Sequence, residues 1–210
     1  MPATGPDTDE LLQRTAAGDP NARGTLLQRH RKRLRRLVAL RMDSRLSARL
    51  DPSDVVQEVL IEADRRLDDY LREPPLPFYP WLRQLACDRL ADAYRRHVRA
   101  ARRSVTREEA NPLGLPGSSA AGLVERLLAS GVGPSEAARR QETKDRVRAA
   151  LARLSEQDQE VLALRHLEQL SAREVAAILG LSEAAVKSRA LRAMQRLREL
   201  LGDEPKETGR

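Results

Sequence analysis

The stretch from Leu154 to Leu201, LSEQDQEVLALRHLEQLSAREVAAILGLSEAAVKSRALRAMQRLRELL, carries three helix start signals and one tight break. Ser155 is placed to cap one helix and Ser171 the next, where Ser171-x-x-Glu174 matches a capping box. Gly180-Leu181-Ser182 then interrupts the helical period, and Ser182 can cap a last helix bearing Lys187, Arg189, Arg192, Arg196 and Arg198. Helix, short glycine-containing turn and basic helix make up a helix-turn-helix, whose second helix enters the DNA major groove. DNA is therefore the leading partner.

The whole chain agrees with an all-α fold. Ala, Leu, Arg and Glu dominate its 210 residues, while the β-branched and aromatic residues that favour strands are sparse. Lys and Arg number 38 against 31 acids, a formal net charge of +7. Such a balance favours a polyanionic partner, because neutralised phosphates release counterions. A single cysteine, Cys87, excludes an internal disulfide and leaves no cluster for zinc; neither metal nor cofactor is expected. The first residues lack the apolar core of a signal peptide, and no apolar run is long enough to span a membrane. A cytoplasmic protein without membrane attachment is expected.

Composition divides the molecule. Residues 104–143 hold five of the eleven glycines and three prolines, with four Arg against five Glu. NPLGLPGSSAAG cannot sustain a helix or a core, so this stretch reads as a flexible linker, with a short helix over Leu123–Ala129. It separates a helical domain over residues 1–103 from a second over 144–203, followed by a polar tail, 204–210.

Within the first domain charge is banded. Residues 29–49 carry nine Arg or Lys against one acid, residues 51–73 eight acids against three Arg, and residues 83–107 eight Arg against two acids. Different faces with different partners would produce such bands, as would helices packing through complementary charge. The acidic band starts at Asp51-Pro52-Ser53 and repeats Val55, Val56, Val59, Leu60, Ala63 and Leu67 at helical spacing. Asp54, Gln57, Glu58 and Glu62 lie on the other face. No His or Cys joins these carboxylates, which argues against acid–base catalysis or a metal site.

All five aromatics fall between Tyr70 and Tyr94. Phe78, Tyr79 and Trp81 crowd the entrance of a helix over Trp81–Arg96, with Pro77 and Pro80 stiffening the approach. Rings interleaved with Arg83, Arg89, Arg95 and Arg96 suit single-stranded DNA, where bases stack and the backbone follows positive charge. Phe78 and Trp81 taken alone read as core anchors. Along the last helix, Val186, Ala190, Ala193, Met194, Leu197 and Leu201 form the inward stripe, and Ala185, Ser188, Arg192 and Gln195 face outward. Leu191 can meet a thymine methyl, Arg192 a guanine, and Ser188 a base or a phosphate. Lys187, Arg189 and Arg196 suit phosphates. His30 and His166 have no ligand partners nearby in sequence.

The two halves together resemble the extracytoplasmic-function (ECF) subfamily of bacterial sigma-70 RNA polymerase sigma factors. The resemblance to region 4 lies in the helix-turn-helix, and that to region 2 in DPSDVVQEVLIEADRRL followed by FYPWLRQLACDRLADAYRRHVR. It covers roughly residues 8 to 103 and 144 to 202. It implies two small helical domains, a region 2 bundle and a region 4 helix-turn-helix. Asp54, Gln57, Glu58 and Glu62 match the helix that docks on the β′ clamp helices of core polymerase, while a further contact to the β flap is implied. Phe78, Tyr79, Trp81, Arg83, Asp88, Arg89, Asp92, Arg95 and Arg96 fall in the element that melts and reads the promoter −10 strand. Lys187, Ser188, Arg189, Leu191, Arg192 and Arg196 fall in the helix that reads the −35 duplex. The resemblance also admits an anti-sigma factor, and implies a non-enzymatic specificity subunit, monomeric when free.

This sequence departs from the family pattern in places. Asp88 stands where many members have Asn; a carboxylate can accept from a cytosine amino group but repels phosphate. Ala190 and Met194 replace larger or basic residues. The Arg-rich stretch LQRHRKRLRRLVALRM is expected to raise affinity for duplex DNA of any sequence. A stand-alone regulator binding operators through its helix-turn-helix would need no acidic 54–62 face, and an α-helical adaptor would show no salt-sensitive DNA binding.

Overall fold

The computed structural model describes residues 7–42, 44–101 and 137–202. Its helices are α1 (Thr8–Ala16), α2 (Pro20–Arg41), α3 (Ser44–Ser47), α4 (Pro52–Arg72), α5 (Phe78–Ala101), α6 (Ala137–Ala152), α7 (Glu156–Leu162), α8 (Ala172–Leu179) and α9 (Glu183–Gly202). A π-helical turn, Ala163–Leu167, continues α7. The described residues contain no strand, as the composition leads one to expect. They fall into two compact units divided near residue 108.

In the first unit α2, α4 and α5 pack together with α1 laid against them. The starts of α2 and α4 follow one rule: an aspartate caps and a proline follows. Asp19 accepts from the Asn21 amide at 2.9 Å, and Asp51 from the Ser53 amide at 2.6 Å. Pro20 and Pro52 occupy first-turn positions whose missing N–H would have had no helical partner. Leu26, Leu34 and Val38 of α2, Val56 and Leu67 of α4, and Leu82 of α5 are wholly buried. The apolar stripe expected on α4 is therefore the seam of this unit.

Helix α5 begins earlier than Trp81. The Trp81 amide donates to the Pro77 carbonyl at 3.0 Å, so Phe78, Tyr79 and Pro80 form its first turn. Pro80 is tolerated there because first-turn amides have no intrahelical acceptor. The tyrosine hydroxyl of Tyr70 then ties the α4–α5 connection by donating to the Leu76 carbonyl at 3.0 Å.

In the second unit α6, α7, α8 and α9 surround Val147, Leu151, Val161, Leu162, Leu167, Val175, Val186 and Leu197. Helix α6 starts upstream of residue 144, so the described helix reaches back into the stretch read as linker. The expected short helix at Leu123–Ala129 lies outside the described residues. All three serine caps form. Ser155 accepts from Asp158, Ser171 from Glu174 in a complete capping box, and Ser182 from the Ala185 amide at 3.1 Å. The π-helical turn has no counterpart in the sequence reading. There the Glu168 amide reaches the Ala163 carbonyl at 2.9 Å, and Gln169 adopts φ 57° before α8 begins. Gly180 adopts φ 65°, ψ 32° as the cap of α8, the left-handed conformation that turns the chain into α9.

Candidate polymerase and nucleic-acid interfaces

Acidic face of the first unit. Asp54, Gln57 and Glu58 are exposed on α4 and Glu62 is half-buried. At helical spacing they surround Ile61, a large apolar side chain left 47% exposed. Sequence reading passed over Ile61 because it lies outside the inward stripe; its place between Gln57, Glu58 and Glu62 on a helical wheel is the signal that finds it. Glu62 pairs with Arg66 at 2.5 Å, whereas Glu58 pairs across the unit with Arg89 of α5. The structure thus joins one residue of the acidic group to one of the basic group, a contact absent from the sequence reading.

Helix α5 displays Asp88, Asp92 and Arg95 at i, i+4 and i+7, all exposed, with Arg96 exposed and Arg83 and Arg89 half-buried beside them. The hydrogen bond from Arg95 holds the Asp92 carboxyl below the usual carboxylate range. The three rings expected to help form a stacking surface lie elsewhere. Phe78, Tyr79 and Trp81 are 3%, 4% and 7% exposed. Trp81 sits 4.5 Å from the Tyr70 ring and 5.6 Å from Phe78, centroid to centroid, and buried His30 meets the edge of Phe78 at 5.3 Å. The Arg33 guanidinium covers Tyr79, 3.6 Å from its centroid. No base can stack on these rings as they lie. Burial of about 150–250 Å² per large ring is a strong reason for a small unit to keep them inside.

Recognition helix of the second unit. Ala185, Lys187, Ser188, Leu191, Arg192, Gln195 and Arg196 are all exposed on α9, while Val186, Ala193 and Leu197 are buried. Ala190, Met194 and Leu201 are half-buried at the margin of the inward stripe. Leu191 is 60% exposed, an apolar side chain amid polar ones. Arg189 is half-buried and donates to the Gln157 side chain of α7 at 2.8 Å, which steers it away from the outward group. Lys187 lies 4.0 Å from Glu183 one turn earlier. The arrangement offers donors, one methyl-rich contact and a row of cations along one helix face, the set needed to read a major groove.

Among the described residues no cluster of His, Cys, Asp or Glu could hold a metal ion, and no helix is long and apolar enough to cross a membrane. His30 is packed in the core and His166 lies exposed on the π-helical turn.

An all-helical pair of units, one ending in a helix-turn-helix with a bare recognition face, defines a DNA-binding transcription protein. Residues 144–197 match the family description sigma-70, region 4. The chain is 33% identical over 204 residues to the RNA polymerase sigma factor CnrH of Cupriavidus metallidurans, covering 93% of this chain and 95% of that protein. It is 31% identical over 199 residues to the ECF RNA polymerase sigma factor SigD of Mycobacterium tuberculosis, covering 95% of this chain and 86% of that protein. A solved structure of CnrH in complex with the cytosolic domain of CnrY is also similar, with a TM-score of 0.48, 27% identity and coverage of 95% of this chain and 100% of that one. The chain belongs to the ECF subfamily of sigma-70 RNA polymerase sigma factors.

Proposed function

We propose that this sigma factor acts as a dissociable, cytoplasmic subunit of RNA polymerase that selects promoters while the polymerase performs the chemistry. The first unit docks on the β′ clamp helices of core polymerase through Asp54, Gln57, Glu58 and Glu62. Its α5 face, Arg83, Asp88, Arg89, Asp92, Arg95 and Arg96, meets the melted −10 strand. Phe78, Tyr79 and Trp81 support that face from the core. The second unit contacts the β flap and reads the −35 duplex, with Ser188, Leu191 and Arg192 at base edges and Lys187 and Arg196 at phosphates. An anti-sigma factor that binds the free chain is a further partner.

One observation supports this reading above the stand-alone regulator: Ile61 exposed at the centre of the acidic α4 face. An apolar centre with a polar rim is the anatomy of a protein-docking patch, and an operator-binding regulator has no use for one there. The double substitution Asp54→Ala/Glu58→Ala should weaken binding to core polymerase at least about ten-fold, roughly 1.4 kcal/mol. Affinity unchanged from the unsubstituted chain would favour the stand-alone regulator.

A further inference from the structure

Between Pro20 and Arg41, helix α2 carries eight cations and no acid. Complementary packing against the acidic helix α4 accounts for one of them. Arg23 donates to Asp64 at 2.7 Å and to Asp68 at 2.8 Å. Arg33 is engaged by the Tyr79 ring, and Arg35 donates to the Ser53 hydroxyl at 3.0 Å. Arg29, Lys32 and Arg36 are different. They are exposed, they project from the side of α2 away from buried Leu26, Leu34 and Leu37, and no ion pair joins them to a described residue. Like charges at i+3 and i+4 work against a helix, and among the described residues no carboxylate pairs with these three.

The chemistry of the partner follows from what surrounds them. A protein-docking patch needs an apolar centre, and the large exposed apolar side chains among the described residues are Ile61 on α4 and Leu191 on α9. The outward face of α2 between its cations holds Thr25, Gln28 and Ala39 instead. From Arg29 to Arg36 the helix rises about 10 Å at 1.5 Å per residue. One DNA strand presents a phosphate about every 3.4 Å along the duplex axis, so three cations spread over this length can each meet a separate phosphate. We propose that Arg29, Lys32 and Arg36 form a sequence-independent contact to the phosphate backbone of duplex DNA. The contact goes beyond promoter reading, since it does not depend on which residues meet the bases.

The test uses the full chain, both free and assembled with core polymerase, and two duplexes: a promoter and a random sequence of equal length. Binding is measured over a series of KCl concentrations for the unsubstituted chain and for Arg29→Ala/Lys32→Ala/Arg36→Ala. With about 0.9 counterions released per phosphate contact, the slope of log Kobs against log salt should become shallower by about 2–3 in the variant. The loss should be equal on the two duplexes, and Arg29→Lys/Arg36→Lys should keep the original slope, because a phosphate accepts either cation. Trp81 fluorescence melts verify that the first unit remains folded. An unchanged slope overturns the proposal. So does a loss that appears only in the assembled form and follows weaker core binding, which would make the stripe a protein-docking surface. The free-chain arm reads the stripe even if the chain fails to bind core polymerase, so the two failures are distinguishable.

Discussion

At the scale of single residues, Arg192 and Trp81 mark two kinds of commitment. Arg192 is exposed and carries no pairing among the described residues, so its guanidinium is available for a base edge. Arg192→Ala should cost about 1–3 kcal/mol at one −35 base pair if the contact is bidentate to guanine. Measured on a panel of single-base promoter variants, an equal loss at every sequence would make it a phosphate contact. Trp81 is buried against Tyr70 and Phe78, so Trp81→Ala should destabilise the first unit by about 3–5 kcal/mol. Promoter opening by that variant is interpretable only alongside a thermal melt. Burial, helped by the nearby charge of Asp9, pushes the Tyr70 phenol up to about 12. Since the folded state holds its proton more tightly than the unfolded chain, this stabilisation is complete below the ordinary tyrosine value of about 10. It is lost as pH rises from there through about 12. Melts across that range should show falling stability of the first unit that Tyr70→Phe lessens.

At the scale of elements, the helix-turn-helix depends on its caps. Gly180 ends α8 with a positive φ, and nothing lies within 4 Å of where a Cβ would stand. Strain therefore comes from the backbone alone, and Gly180→Ala should cost about 1–2 kcal/mol. Ser171→Ala, which removes the capping box, should cost about 1 kcal/mol. Denaturant titration followed by circular dichroism would measure both. These caps were legible because a cap is a local event: a side chain reaching a backbone amide two or three residues away. The π-helical turn at Ala163–Leu167 was not legible. It has no cap residue or composition of its own, and it accompanies the burial of Leu164, Leu167 and Leu170 in one core. The early start of α5 was missed for a related reason. Prolines at 77 and 80 read as an extended approach, yet Pro80 falls where a helix tolerates it.

At the scale of the whole molecule, two units with separate cores imply two separable stabilities. Trp81, the one tryptophan of the chain, reports on the first unit alone. Gly180→Ala should therefore lower one transition followed by circular dichroism at 222 nm and leave the fluorescence transition of Trp81 where it was. A common shift of both would show that the units unfold as one. The sequence by itself determined the helical class, the capped helix-turn-helix, the outward set on α9 and the inward stripe on α4. Each of these rests on the helical period and on near-neighbour chemistry, which a linear chain carries in full. Tertiary structure alone decided which amphipathic side chains are spent inside. It decided between a stacking surface and core anchors for Phe78 and Trp81, put Tyr79 inside with them, paired Glu58 with Arg89 and Arg23 with Asp64, and left Ile61, Arg29, Lys32 and Arg36 outside. Those outcomes depend on contacts between residues tens of positions apart, where burial of large rings outweighs any local preference. The same distinction sharpens the helix-turn-helix, whose outward group was readable from spacing, while the contact that draws Arg189 toward Gln157 needed the folded neighbour.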